Sequence, residues 1–382
     1  MGIFYKWIIH PFLSVASGHK VFTNNPHLGL LIDAKDSDLI ADEQFRIGMA
    51  YLGGEFMLPQ DTKKALYYFK KAAERGHAIA QLYMMRGCMK KCDDNSDEVI
   101  YWLQKAAEQG EPQALYNLAI SYHRGDIDGK VDIAQSNELF RQSAEAGYSA
   151  AYSRMAAIYN NGYGVERNLK IAKYWAWLDF ANLPENSREN SILVKLIEPG
   201  DVNADNHILF KKIIEDAAEA GERDAMNNWA SGLFNTGEKE KALALWQKAA
   251  DLKHPDGMCN VARQCWTEKM KDYERATVLF KEASKSGCVH AFYGLAVLYY
   301  QGAGVERDVK RAWEYLEKGI NRGDAESRYL FFTMHLNNDL LDILPNKVLR
   351  GWDYLELAAK DNFQPALDFY KNNREKQDNG EV

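Results

Sequence analysis

The residues of this chain whose types and spacing could do chemistry are few and scattered. Ser17-Gly18-His19-Lys20 has the Ser-x-x-Lys spacing in which a lysine amine can activate a serine hydroxyl for acyl transfer. Neither a Ser-Asp-Asn nor a Lys-Thr-Gly follows to complete that site. His123-Arg124-Gly125-Asp126 spaces a carboxylate from a histidine as a phosphoryl-transfer loop would, yet no glycine-rich strand loop accompanies it. The sequence has no His-Glu-x-x-His, no Gly-x-Ser-x-Gly and no phosphate loop. Cys88 and Cys92, four apart, share one face of a helix and could begin a metal site, but no nearby pair of ligands brings the set to four. They read as small buried hydrophobes. With no converging titratable groups, the sequence predicts a non-enzyme that uses neither cofactor nor metal.

What organises the chain is a repeated phrase: a small pair, a polar residue and a glycine two positions on. It occurs as Ala72-Ala73-Glu74 with Gly76, Ala106-Ala107-Glu108 with Gly110, Ser143-Ala144-Glu145 with Gly147, and Ala217-Ala218-Glu219 with Gly221. Weaker copies begin at Ala249, Ala283, Gly319 and Ala358, so successive anchors stand 34, 37, 74, 32, 34, 36 and 39 residues apart, 74 being two units. A period of this size means stacked supersecondary units. Three positions before each anchor stands a large apolar residue: Phe69, Leu103, Phe140, Ile214, Trp246, Phe280, Leu316 and Leu355. Eight positions after it comes a small one in seven units, from Ala80 to Ser327. These offsets define two helices per unit, antiparallel, with the glycine as the left-handed cap of the second.

Two loops sharpen this. Asn161-Gly162-Tyr163-Gly164-Val165-Glu166-Arg167-Asn168 and Gln301-Gly302-Ala303-Gly304-Val305-Glu306-Arg307-Asp308 are nearly the same octapeptide, each joining the first helix of a unit to the second. The glycines permit a tight reversal, and Asn168 or Asp308 can cap the following helix. Together with the repeated phrase they resemble the Sel1-like repeat family, relatives of the tetratricopeptide repeat, over roughly residues 41 to 366. The resemblance implies an all-α, right-handed α-solenoid of stacked antiparallel helix pairs. We expect a single elongated array of about 18 to 20 helices. Residues 1–40 are expected to form an apolar segment capping the array. Repeats follow over 41–182, a degenerate unit with irregular helices over 183–216, further Sel1-like or plain tetratricopeptide-like repeats over 217–366, and a polar tail over 367–382.

Charge and composition narrow the partners. With 47 Lys+Arg against 54 Asp+Glu the net charge is −7, which gives no field to attract nucleic acid. No stretch is long and apolar enough for a transmembrane segment. Five cysteines are an odd number and argue against a disulfide framework, so a cytoplasmic location is expected. The alternative is a periplasmic or secreted protein, should the apolar first 22 residues be a signal peptide; Lys6 and His10-Pro11 interrupt that stretch.

In tetratricopeptide-like stacks the first helix of each unit lines the concave side. Carrying that face over, unit by unit, selects Tyr83, Arg86, Tyr116, His123, Asn160, Asn227, Phe234, Arg263, Trp266, Tyr293, Tyr300 and Tyr329 as candidate partner-binding residues. Tyr, Trp and Arg are the residue types enriched at interface hot spots. The resemblance therefore implies a scaffold or adaptor that binds a protein partner. One alternative is an immunity or inhibitor protein that wraps and neutralises a toxin or secreted effector. The other is a hydrolase using the groove.

Overall fold

The computed structural model describes residues 39–369, apart from the short stretches 55–57, 91–95, 185–190, 197–205, 268–269, 341 and 345–350. The expected N-terminal cap, except for Leu39 and Ile40, lies outside the described residues. So do nearly all of the polar tail and the side chains of Cys88 and Cys92.

Every regular element among the described residues is a helix. First helices of successive units are α1 (Ala41–Gly53), α3 (Ala78–Lys90), α5 (Pro112–Arg124), α7 (Ser149–Asn161), α11 (Arg223–Asn235), α13 (Pro255–Trp266), α15 (His290–Gln301) and α17 (Ala325–Leu336). Second helices are α2 (Thr62–Glu74), α4 (Ser96–Glu108), α6 (Ile133–Glu145), α8 (Leu169–Asn182), α10 (Asn206–Glu219), α12 (Lys239–Asp251), α14 (Tyr273–Lys285), α16 (Val309–Ile320) and α18 (Gly351–Lys360). Between α8 and α10 the described residues form the five-residue α9 (Ile192–Leu196), and α8 packs directly on α10.

The offset pattern is borne out residue by residue. All eight large residues three positions before the anchors are buried, none more than 5% exposed. The capping glycines Gly76, Gly110, Gly147, Gly221, Gly287 and Gly323 all have positive φ. In the two units whose cap position holds another residue, Lys253 and Asn362 adopt φ of 62° and 60°, so the register of the chain holds even where the favoured residue type is lost.

The twin octapeptide loops do more than reverse the chain. Gly162 and Gly302 end α7 and α15 in the left-handed conformation, as expected. Gly164 and Gly304, at φ 70° and 67°, also allow a close approach to the preceding unit. A Cβ at Gly164 would lie 2.5 Å from Ile133 Cγ2, and one at Gly304 would lie 2.5 Å from Tyr273 Cβ and 2.8 Å from its carbonyl carbon. Arg167 Nε donates to the carbonyl of Asn160 at 2.8 Å, and Arg307 Nε to that of Tyr300 at 3.0 Å, closing both loops with the same bond. Asn168 and Asp308 accept from backbone amides at the starts of α8 and α16, the predicted caps.

The helices form two compact bodies, one of residues 106–261, the other of 39–105 together with 262–369. Within the second body the first and last units meet. Ile40 sits in the apolar cluster of Trp313, Leu316, Phe331 and Tyr354. The Tyr354 hydroxyl donates to Asp42 Oδ2 at 2.9 Å.

Candidate functional site

The starts of the first helices carry two columns of charged side chains, most of them buried. One column is the position after each capping residue, with His77, Glu222, His254 and Asp324; the other lies two residues on, with Asp42, Asp224, His290 and Glu326. Stacking sets one unit's start against the next, so these side chains meet across unit boundaries. The arrangement recurs. His254 Nδ1 accepts from the Gly257 amide at 3.0 Å while its Nε2 faces Asp224 Oδ1 at 3.1 Å, and His77 Nδ1 accepts from Ala80 at 3.2 Å with Nε2 3.9 Å from Asp42. A backbone donor on Nδ1 fixes the ring proton on Nε2, toward the carboxylate.

In the first body this column grows into a buried network. Tyr174 donates to Asp224 Oδ2 at 2.6 Å, and Asn228 Nδ2 donates to the same oxygen at 3.1 Å. Glu222 accepts from Trp175 Nε1 at 3.3 Å and from Arg141 at 3.4 Å. Arg223 donates to both oxygens of Glu145, at 2.7 and 3.0 Å. These groups are covered by their neighbours, which suits a structural role.

Burial raises the Glu222 carboxyl to about 7, which the Arg141 guanidinium only partly offsets. The folded chain thus keeps a proton that the unfolded chain releases above its ordinary value of 4.5. Stability from this group is fully present below pH 4.5 and is lost as pH rises toward 7. We expect a decline on the order of 2 kcal/mol between pH 5 and 8. Denaturation midpoints at the two pH values measure it, and Glu222→Gln should flatten the slope; an unchanged slope in the variant would refute the assignment.

In the second body the column opens to solvent. Arg263 donates to Glu326 Oε2 at 2.7 Å, and His290 Nδ1 stands 3.3 Å from both Glu326 Oε2 and Asp324 Oδ1. Tyr293 lies beside them, its hydroxyl pushed up to about 12 by burial and by the Glu326 charge. Of the predicted surface residues Trp266, Tyr293, Tyr300 and Tyr329, all on this run of first helices, Tyr293 adjoins the cluster. Trp266 and Tyr293, with ring centroids 6.4 Å apart, pack with Tyr300 against the apolar cluster that holds Ile40. Tyr329 packs on Phe363 at 5.5 Å. All four are part-buried, with one side on the core and the other open.

The remaining predicted residues are dispersed. Tyr83 stacks on Phe69 with exposed Arg86 over its ring. Tyr116 packs on Phe140 and Tyr148, His123 against Tyr163, and Phe234 on Trp246. Asn160 donates to Asn161 at 3.3 Å. Asn227, only 5% exposed, accepts from Asn260 at 3.0 Å and links two units, so it is removed from the candidate surface. Sequence reasoning missed His290, Asp324 and Glu326. The two columns, followed from unit to unit as the core positions are, mark them in the sequence.

The Sel1 repeat family model matches residues 44–77, 95–111, 112–148, 149–176, 224–254 and 289–324. The chain is built of Sel1 repeats. Four of the matches, 44–77, 112–148, 224–254 and 289–324, begin and end within a few residues of a helix pair; 95–111 covers α4 alone, 149–176 stops within α8, and α3, α9, α10, α13, α14, α17 and α18 lie outside the matches. Among curated relatives, an uncharacterised protein of Neisseria meningitidis serogroup B, NMB1327, is 25% identical over 64% of this chain and 58% of its own. The ERAD-associated E3 ubiquitin-protein ligase component HRD3B of Arabidopsis thaliana is 28% identical over 69% of this chain and 45% of its own. The Sel1-repeat chain thus spans about half the length of these relatives. Among solved structures, c5321, a protective antigen of uropathogenic Escherichia coli with an SLR fold, is 20% identical over 92% of this chain and 91% of its own, at a TM-score of 0.40.

Proposed function

We propose that the chain is a non-enzymatic scaffold that binds a protein partner along the first-helix face of its second body, centred on Arg263, Trp266, Tyr293, Tyr300 and Tyr329. The observation that carries this reading is the half-burial of four aromatic rings on one run of first helices. Their packed sides hold them in place, and their open sides offer contact area at little further cost in conformational entropy. Relatives whose names state a role fit the reading. HRD3B is a component of a ubiquitin ligase, and the Saccharomyces cerevisiae protein SKT5, 30% identical over 30% of this chain and 18% of its own, is a chitin synthase regulator. Each is named for acting with another protein.

Alanine substitution would confuse binding with packing, because Tyr293 and Tyr300 back the core cluster. A photo-reactive phenylalanine analogue at Tyr300 or Tyr329 keeps a ring in place and reports contact directly. In native lysate both positions should give discrete adducts, whereas the same analogue at Val278, 56% exposed on second helix α14, should give none. Adducts at Val278 alone would place the binding face elsewhere.

A further inference from the structure

We propose that His290, Asp324 and Glu326 form a binding site for a divalent transition cation of the zinc class, joining the starts of α15 and α17. Nδ1 of His290 is 3.3 Å from Asp324 Oδ1 and 3.3 Å from Glu326 Oε2, and all three atoms lie within 4.8 Å of one another. A charge-assisted hydrogen bond between imidazolium and a single carboxylate is about 2.7–2.9 Å, and one Nδ1 proton shared between two carboxylates gives two longer, weaker bonds. The Arg263–Glu326 bond in the same cluster does reach 2.7 Å, so the longer pair of distances is particular to the histidine. Ligands on a tetrahedral zinc, with bonds of about 2.0–2.2 Å, stand roughly 3.3–3.5 Å from one another. The two 3.3 Å separations equal the spacing of ligands around one shared ion.

The surroundings hold the ligands in place. Asp324 is buried, and its other oxygen, Oδ2, accepts from the amide and hydroxyl of Ser327 at 2.8 and 2.5 Å, which leaves Oδ1 turned toward the site. Arg263 takes one lone pair of Glu326 Oε2 and leaves the other for the cation. Such supporting bonds orient metal ligands in known sites. One imidazole and two carboxylates balance the charge of a divalent ion. They favour a zinc-class ion over calcium or magnesium, which take more oxygens and no nitrogen. The His290 side chain is 55% exposed, so an ion can enter from solvent and a fourth position stays open.

The test is calorimetric titration of Zn2+ alone into the full chain, stripped of metal and kept reduced. The expected result is one ion per chain. Because loss of a merely supporting partner costs roughly 10- to 100-fold in metal affinity, loss of a ligand in His290→Ala should weaken binding by at least about 100-fold. Glu326→Gln should weaken it comparably. Both positions are solvent-accessible enough for the variants to fold, which circular dichroism checks. No saturable binding by the native chain would overturn the proposal. Binding unchanged in both variants would also overturn it and would move the ion to other ligands, the cysteines first.

Discussion

Replacing Asp224 by alanine is expected to cost the folded chain about 3–5 kcal/mol, enough to unfold much of the first body. Asp224 is 3% exposed and accepts from three side chains: the Tyr174 hydroxyl, Asn228 Nδ2 and the Nε2 of His254. Alanine removes the acceptor and leaves the Tyr174 hydroxyl and His254 Nε2 buried without one, while Asn228 keeps its bond to the Tyr174 oxygen at 2.7 Å; each unpaired group costs about 1–3 kcal/mol. His254 cannot escape by changing tautomer, since Nδ1 would then lose the Gly257 amide. Asparagine in place of Asp224 keeps one acceptor and should cost roughly half as much. Stability in stacked repeats is a sum over units and their interfaces, so the loss should be concentrated where the bonds were. Hydrogen exchange of α8 and α11 measures this. Tyr174→Phe combined with Asp224→Ala should cost less than the two changes added, because the second removes what the first has already lost. Strict additivity would show that the hydroxyl and the carboxylate do not interact.

How much of this was legible in the sequence depends on how local the cause is. The helix pairs, the buried residues before each anchor and the capping glycines follow from offsets within one unit, and a recurring unit shows each offset several times. The octapeptide loops were half legible. Chain reversal at Gly162 and Gly302 is local, whereas the close approach of Gly164 to Ile133 and of Gly304 to Tyr273 depends on how the preceding unit is placed. The buried network was not legible as a network. Glu222, Asp224 and His254 look like ordinary polar residues at helix starts, and only stacking turns them inward. The candidate surface shows the same division. Arg263, Trp266, Tyr293, Tyr300 and Tyr329 lie in one body, but the sequence held no sign that His290 and Glu326 would stand beside Arg263 and Tyr293. Asn227 was misjudged because its partner, Asn260, belongs to the next unit.

The meeting of Asp42 with Tyr354, 312 residues apart, has no local signal at all, and it supports the second large expectation. Asp42 is buried, with Arg46, His77 and Arg328 about it and the Tyr354 hydroxyl on its Oδ2. Burial alone would raise its carboxyl; the nearby His77 and the two guanidinium charges overcome this and hold it below the ordinary value, so it stays charged. Asp42→Ala removes the negative charge between two buried cations, and breaking such an arrangement costs about 3–5 kcal/mol. Were the end units independent, the damage would stay near α1. Because Ile40 is part of the cluster that covers Tyr354 and Leu357, loosening α1 should also expose the far end. Hydrogen exchange should therefore rise together in α1 and α18, with the helices of the first body unaffected. Tyr354→Phe, which removes only the hydroxyl, should reproduce the pattern at about 1–2 kcal/mol. A rise confined to α1 would mean that the two ends fold separately, and the contact between Asp42 and Tyr354 would then be a consequence of folding and contribute nothing to it.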